Sequence, residues 1–119
     1  MSETREQRAA AARVRMATLA TKFIDRTRGE LGTMRDALTR LAGGDGAALG
    51  ELRHFAHRIC GTGATFGFEP LSDCAARIEK LVAAQSPGNV PGDFVLAQMT
   101  GALESLDHEL AQLSAQHAK

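Results

Sequence analysis

The side chain with the widest chemical scope in this 119-residue chain is His57, inside the stretch Leu52 to Glu79 (LRHFAHRICGTGATFGFEPLSDCAARIE). At about 100° per residue along a helix, Leu52, Ala56, Ile59 and Gly63 gather on one side, with their centre about 130° from His57. The imidazole therefore projects away from the apolar stripe. Gly61 lies about 40° from it and Ala64 about 20°, one and two turns further on, so very small side chains line the surface beside it. A glycine inside a helix costs about 1 kcal/mol relative to alanine. At Gly63, on the stripe, close helix approach accounts for it. At Gly61 the missing Cβ leaves room for a group added to a ring nitrogen and for another protein. The plainer reading is that Gly61 is one of 12 glycines in a glycine-rich chain.

An exposed imidazole is largely neutral near pH 7 and is then a competent nucleophile. Phosphorylated, it would carry new negative charge. Arg58, one residue on, and Arg53, one turn back, are placed to offset that charge. The bland alternative for each arginine is ordinary solvated charge. His54, Gly50, Arg53, Arg58 and Gly61 form the expected docking face.

The elements that must hold this histidine read as helices. Phe23, Thr27, Leu31, Met34, Leu38 and Leu41 recur at spacings of four and three, one stripe of a long helix from Val14 to about Ala42 that runs through Gly29 and Gly32. Residues 1–13, Ala-rich with mixed charge, are expected as a short helix or a frayed arm, and residues 14–119 as the main unit. Gly43-Gly44 stops the long helix, and Asp45 is a good N-cap for the next. That helix spans about 46–66, with Leu52, Ala56, Ile59, Gly63 and Phe66 facing inward, and Gly67 ends it as a left-handed cap. Pro70 suits the first turn of a third helix whose stripe is Leu71, Cys74, Ile78 and Leu81. Residues 85–93 (QSPGNVPGD) are a loop by composition. Asp93 caps a last helix to about Gln116, with Val95, Met99, Ala102, Leu106, Leu110 and Leu113 inward. No segment alternates with the period of a strand. The fold class expected is all-α: an antiparallel up-down four-helix bundle with a short N-terminal helix or arm.

Composition excludes several functions. Net charge is +0, which offers no bulk attraction to nucleic acid or an anionic membrane. Residues 1–60 hold 11 Lys/Arg against 7 Asp/Glu, and residues 61–119 hold 3 against 7, so the two halves suit each other. Trp and Tyr are absent, which removes the usual stacking platform for single-stranded nucleic acid. Cys60 and Cys74 lack metal-motif spacing and are expected to be reduced packing residues of a cytoplasmic protein. No apolar run reaches the roughly 18 residues of a membrane span. No signal-peptide core is present, and Glu3 and Glu6 argue against a transit peptide in the Arg-rich segment that follows.

The residues quoted above resemble the histidine-containing phosphotransfer family. Its motif is roughly A-H-x-L-K-G-x-A-x-x-(aromatic or apolar)-G, followed by an apolar helix ending in Glu. Here it reads Ala56-His57-Arg58-Ile59-Cys60-Gly61-Thr62-Gly63-Ala64-Thr65-Phe66-Gly67, then Leu71, Ala75 or Ala76, Ile78 and Glu79. The match covers the two central helices; the flanking ones agree in number and length. The resemblance implies a bacterial phosphorelay carrier with His57 as phosphoacceptor through Nε2, and Arg58, Arg53, Cys60, Gly61 and Ala64 around the phosphate. It implies receiver domains and a hybrid sensor histidine kinase as partners, and no cofactor or metal of its own, the receiver supplying Mg²⁺. Transfer would then be governed by positioning and charge neutralisation rather than by an active site in this chain. A monomer is expected. The family's common lysine three residues after the histidine is Cys60 here, which cannot donate a charged hydrogen bond to phosphate. Three rivals remain: an adaptor that binds receivers without carrying phosphate, a metal site from His54, His57 and Cys60, and an enzyme. The metal ligands diverge by about 120° around the helix. No carboxylate pair, nucleophile–base pair or phosphate loop supports an enzyme.

Overall fold

The computed structural model describes residues 4–117, which form four helices and no strand. They are α1 (Arg5–Ala42), α2 (Ala48–Thr65), α3 (Glu69–Ala83) and α4 (Asp93–His117). Each helix packs against two others in the cyclic order α1, α2, α3, α4. Arg28 on α1 reaches Ser114 on α4 at 3.0 Å; Arg35, further along α1, reaches Asp107, which comes earlier on α4, at 2.8 Å.

The apolar stripes do what their periods predict over the middle of each helix, while Phe23, Phe66, Val95 and Leu113, expected to face inward near the helix ends, are only half-buried. Ile24, Leu31, Met34, Leu41, Leu52, Ile59, Leu71, Ile78, Met99, Leu106 and Leu110 are all buried in one core. Removing a side chain of this kind, for example Ile59→Ala, costs about 2–5 kcal/mol by lost transfer energy and the cavity left behind. On α3 the buried line is Leu71, Ala75, Ile78 and Val82; Cys74 and Leu81, expected on it, are only half-buried at its edge.

Three local expectations shift. The first concerns the boundary at residue 13, where the chain shows no break. Thr4 accepts from Gln7 N at 3.1 Å and Gln7 Oε1 accepts from Thr4 N at 2.8 Å, a capping box that starts α1 at Arg5. From there alanine and arginine carry the helix without a breaker into the bundle. Residues 1–3 of the expected arm, and 118–119, lie outside the described residues. Next, Asp45 acts two residues ahead of the N-cap, Ala47. Its Oδ1 accepts from Ala47 N at 3.1 Å, while α2 begins at Ala48. Gly63, finally, is buried against Ser72, but an added Cβ would stand 3.6 Å away, ordinary contact rather than a clash.

The turn after α2 decides where α3 lies. Gly67 has φ +77, Phe68 N donates to Gly63 O at 2.8 Å, and Gly67 N donates to Ala64 O at 3.0 Å. These paired bonds form a Schellman motif, whose left-handed residue glycine adopts without strain. Pro70, in the first turn of α3, gives up no helical hydrogen bond. The loop beyond α3 closes on the α1–α2 link: a Cβ on Gly46 would fall on the backbone of Gly88.

Candidate functional site

His57 stands on the outward side of α2, its side chain 78% exposed. Two of its α2 neighbours, Ala56 and Ile59, are 0% exposed and anchor the helix, so the position of the ring follows from helical rotation alone. Across the seam, Ile78 is buried and holds α3 against α2. The next residue, Glu79, places Oε2 2.8 Å from Nδ1 of His57. A carboxylate can only accept, so Nδ1 carries the proton and the lone pair of the neutral ring lies on Nε2. Among the described residues nothing bonds to Nε2.

Around the ring, Gly50, Arg53, His54, His57 and Glu79 line a shallow open depression. It shares Gly50 and Arg53 with a groove that runs toward Leu49, Val82 and Pro87. A Cβ added at Gly50 or Gly61 would meet no heavy atom within 4 Å. Ala64 is exposed two turns beyond the ring. The empty surface expected beside His57 is therefore present, and Arg53 is the cation on it. His54 packs its ring edge-on against Phe55, with centroids 5.5 Å apart.

Two of the expected phosphate neighbours are engaged elsewhere. Arg58 is rotated about 100° from His57. Its guanidinium hydrogen-bonds Glu30 on α1 and lies 5.4 Å from the centroid of the Phe55 ring. The bond to Glu30 raises the Arg58 pKa from its ordinary value, with burial opposing. Glu30 also accepts from Arg26 Nε at 2.9 Å, so one carboxylate with 12% side-chain exposure ties two arginines at the α1–α2 seam. Cys60 is turned the other way. Ser72 Oγ donates to the Cys60 carbonyl at 2.7 Å, and the Cys60 thiol lies 3.5 Å from Ser72 Oγ. Position 60 thus serves the α2–α3 contact, and with Arg58 it leaves the phosphate surface to Arg53, Gly61 and Ala64.

Sequence reasoning quoted Glu79 only as the last residue of a spacing pattern and missed its contact with the ring. Its apolar neighbour Ile78 marked the helix face, but which α3 residue falls opposite His57 depends on the register set by the Gly67 turn and the Ser72–Cys60 bond. Glu30 was missed for the same reason. Among the described residues no three His, Cys, Asp or Glu side chains gather closely enough to hold a metal ion.

A family model described as Hpt domain matches residues 18–116, which takes in α2 and α3 whole and most of α1 and α4. No curated protein and no solved structure matches the chain.

Proposed function

The chain belongs to the Hpt domain family, a family of phosphotransfer modules in two-component signalling, and on that premise we propose that His57 is its phosphoacceptor. In this reading His57 carries a phosphoryl group to and from receiver-domain aspartates. The observation that carries it is the ring itself: its side chain is 78% exposed, Nδ1 lies 2.8 Å from a Glu79 carboxylate oxygen, and no described residue bonds to Nε2. The helix pairings favour an up-down antiparallel bundle as the rigid stage, with the long α1 entering through an N-terminal arm.

The step is an in-line displacement. The Nε2 lone pair attacks the phosphorus of an aspartyl phosphate, the N–P bond forms as the P–O bond breaks, and the aspartate leaves as a carboxylate with the bonding electrons. The ring becomes a cation, and Glu79 faces that charge through Nδ1–H. Return transfer reverses each bond change. Glu79 here is a positioning residue: it fixes the tautomer and offsets the developing charge without touching phosphorus. Arg53 is the cation best placed to meet the phosphoryl oxygens. His54, Gly50 and Gly61 offer a flat approach for the receiver, whose acidic pocket would bring Mg²⁺. A hybrid sensor kinase upstream, and a cytoplasmic, bacterial setting, belong to the same reading. No described helix is long and apolar enough to cross a membrane.

A second reading, a receiver-binding adaptor that carries no phosphate, draws support from one observation: neither Cys60 nor Arg58 is directed at the ring. One experiment separates the two. Incubation with a labelled phospho-receiver should transfer label in an acid-labile, alkali-stable form, and His57→Gln should abolish it. An adaptor would bind the receiver equally well with either residue and take no label.

A further inference from the structure

α1 runs well past the rest of the bundle. Residues 4–19 include no buried residue, and the first is Ala20. Ala9, Ala12, Met16 and Leu19 prolong the core stripe from Phe23 at spacings of three and four, the pattern with which one helix seats against another. Met16 is 47% exposed, Leu19 50% and, on the adjoining side, Val14 66%. The same segment holds Arg5, Arg8, Arg13 and Arg15 against Glu6 alone. Its length is about 24 Å at 1.5 Å per residue. The molecule accordingly measures 63 × 24 × 18 Å.

An acidic, apolar groove lies at the end of the bundle from which this arm departs. Phe23 stacks on Phe66 and Phe68 at 5.6 and 6.3 Å, which places the α2–α3 turn level with the base of the arm. Beside that turn, Phe68, Pro70, Leu71, Glu109 and Leu113 line a groove between α3 and α4. Glu69 and Asp73 are exposed on the adjoining surface of α3, and Arg77 is the basic residue one turn further on.

We infer that the arm of one copy seats in the α3–α4 groove of a second copy, reciprocally, to form a two-fold symmetric dimer. Charge decides the occupant. Arm against groove sets arginines against Glu69, Asp73 and Glu109, whereas arm against arm sets arginines against arginines. The arm's own groove is out of its reach, because a straight helix carries the arm away from the bundle. Two reciprocal contacts, each about 24 by 10 Å, bury on the order of 1,000 Å² in total, the size at which specific interfaces begin. This dimer replaces the monomer expected from sequence. The seam it uses is not the one that holds His57 and Glu79, so both phosphoacceptor faces stay open.

Sedimentation equilibrium of the full chain across the micromolar range tests it. The mass should rise from 12.6 kDa toward twice that value with concentration. Met16→Glu with Leu19→Glu should give a monomer with unchanged helical circular dichroism, since both residues are exposed. A copy with Arg5, Arg13 and Arg15 changed to Glu, and a copy with Glu69, Asp73 and Glu109 changed to Arg, should each fail to self-associate. Mixed, they should form a heterodimer, because both of its contacts are again of opposite charge. A wild type that stays monomeric throughout overturns the proposal. So does a groove-reversed copy that still pairs with itself, which would point to arm–arm contact. Label transfer through His57 is read separately and stands or falls apart from these outcomes.

Discussion

Replacing Glu79 tests whether α3 takes part in the chemistry or merely packs beside it. Glu79→Gln keeps an acceptor for Nδ1–H and removes the charge. Glu79→Ala removes both. A hydrogen bond to a charged group contributes about 1.5–3 kcal/mol and a neutral one about 0.5–1.5. The difference is about 1 kcal/mol, and with the imidazole 78% exposed, water screens it toward the low side before the partner docks. About 1 kcal/mol lost as the ring becomes cationic slows transfer about fivefold. Losing the acceptor outright, at about 1.5–2 kcal/mol, slows it roughly 10- to 30-fold. The assay is rapid-quench transfer from a phospho-receiver at saturating concentration, so that the first-order step is read apart from binding. Thermal unfolding should move by no more than about 0.5 kcal/mol, because the pair lies on the surface. If Glu79→Ala transfers at the wild-type rate, the tautomer argument is wrong and the 2.8 Å contact is only a surface ion pair.

Gly61→Gln should leave the bundle folded, since a Cβ there meets nothing, while blocking transfer by crowding the ring; normal transfer would refute the argument from empty space. Gly46→Ala should destabilise the protein by about 1–3 kcal/mol in chemical denaturation, because the Gly88 backbone must move aside for the new Cβ. Cys74 should alkylate more slowly than a free thiol at pH 8, as mass spectrometry of labelled peptides would show. Burial raises its pKa, the Glu109 charge adds to that, and Arg77 opposes it.

The helical stripes, the Gly67 cap and the outward direction of His57 were all legible in the chain. Each depends on local rotation about one helix or on one residue's φ preference, and such rules need no knowledge of neighbours. The same local rules could not place Asp45 to the residue, because the side chain of Asp45 bonds to Ala47 before the helix begins. The continuous α1 was legible too, in the Thr4 and Gln7 capping box, a local signal that sets the helix start at Arg5 and that the expectation of a separate short helix or frayed arm over residues 1–13 passed over.

What only the tertiary structure decided is which side chains from other helices meet the histidine helix. Arg58 and Cys60 looked like companions of His57 by sequence distance, yet rotation turns the first to Glu30 on α1 and the second to Ser72 on α3. Glu79, 22 residues away in the chain, becomes the ring's partner. A helix's own period determines the direction of each side chain, but the identity of what lies in that direction depends on how far the neighbouring helix has slid along the seam. Turn length and core packing set that offset, and both are summed over many residues rather than written at any one of them.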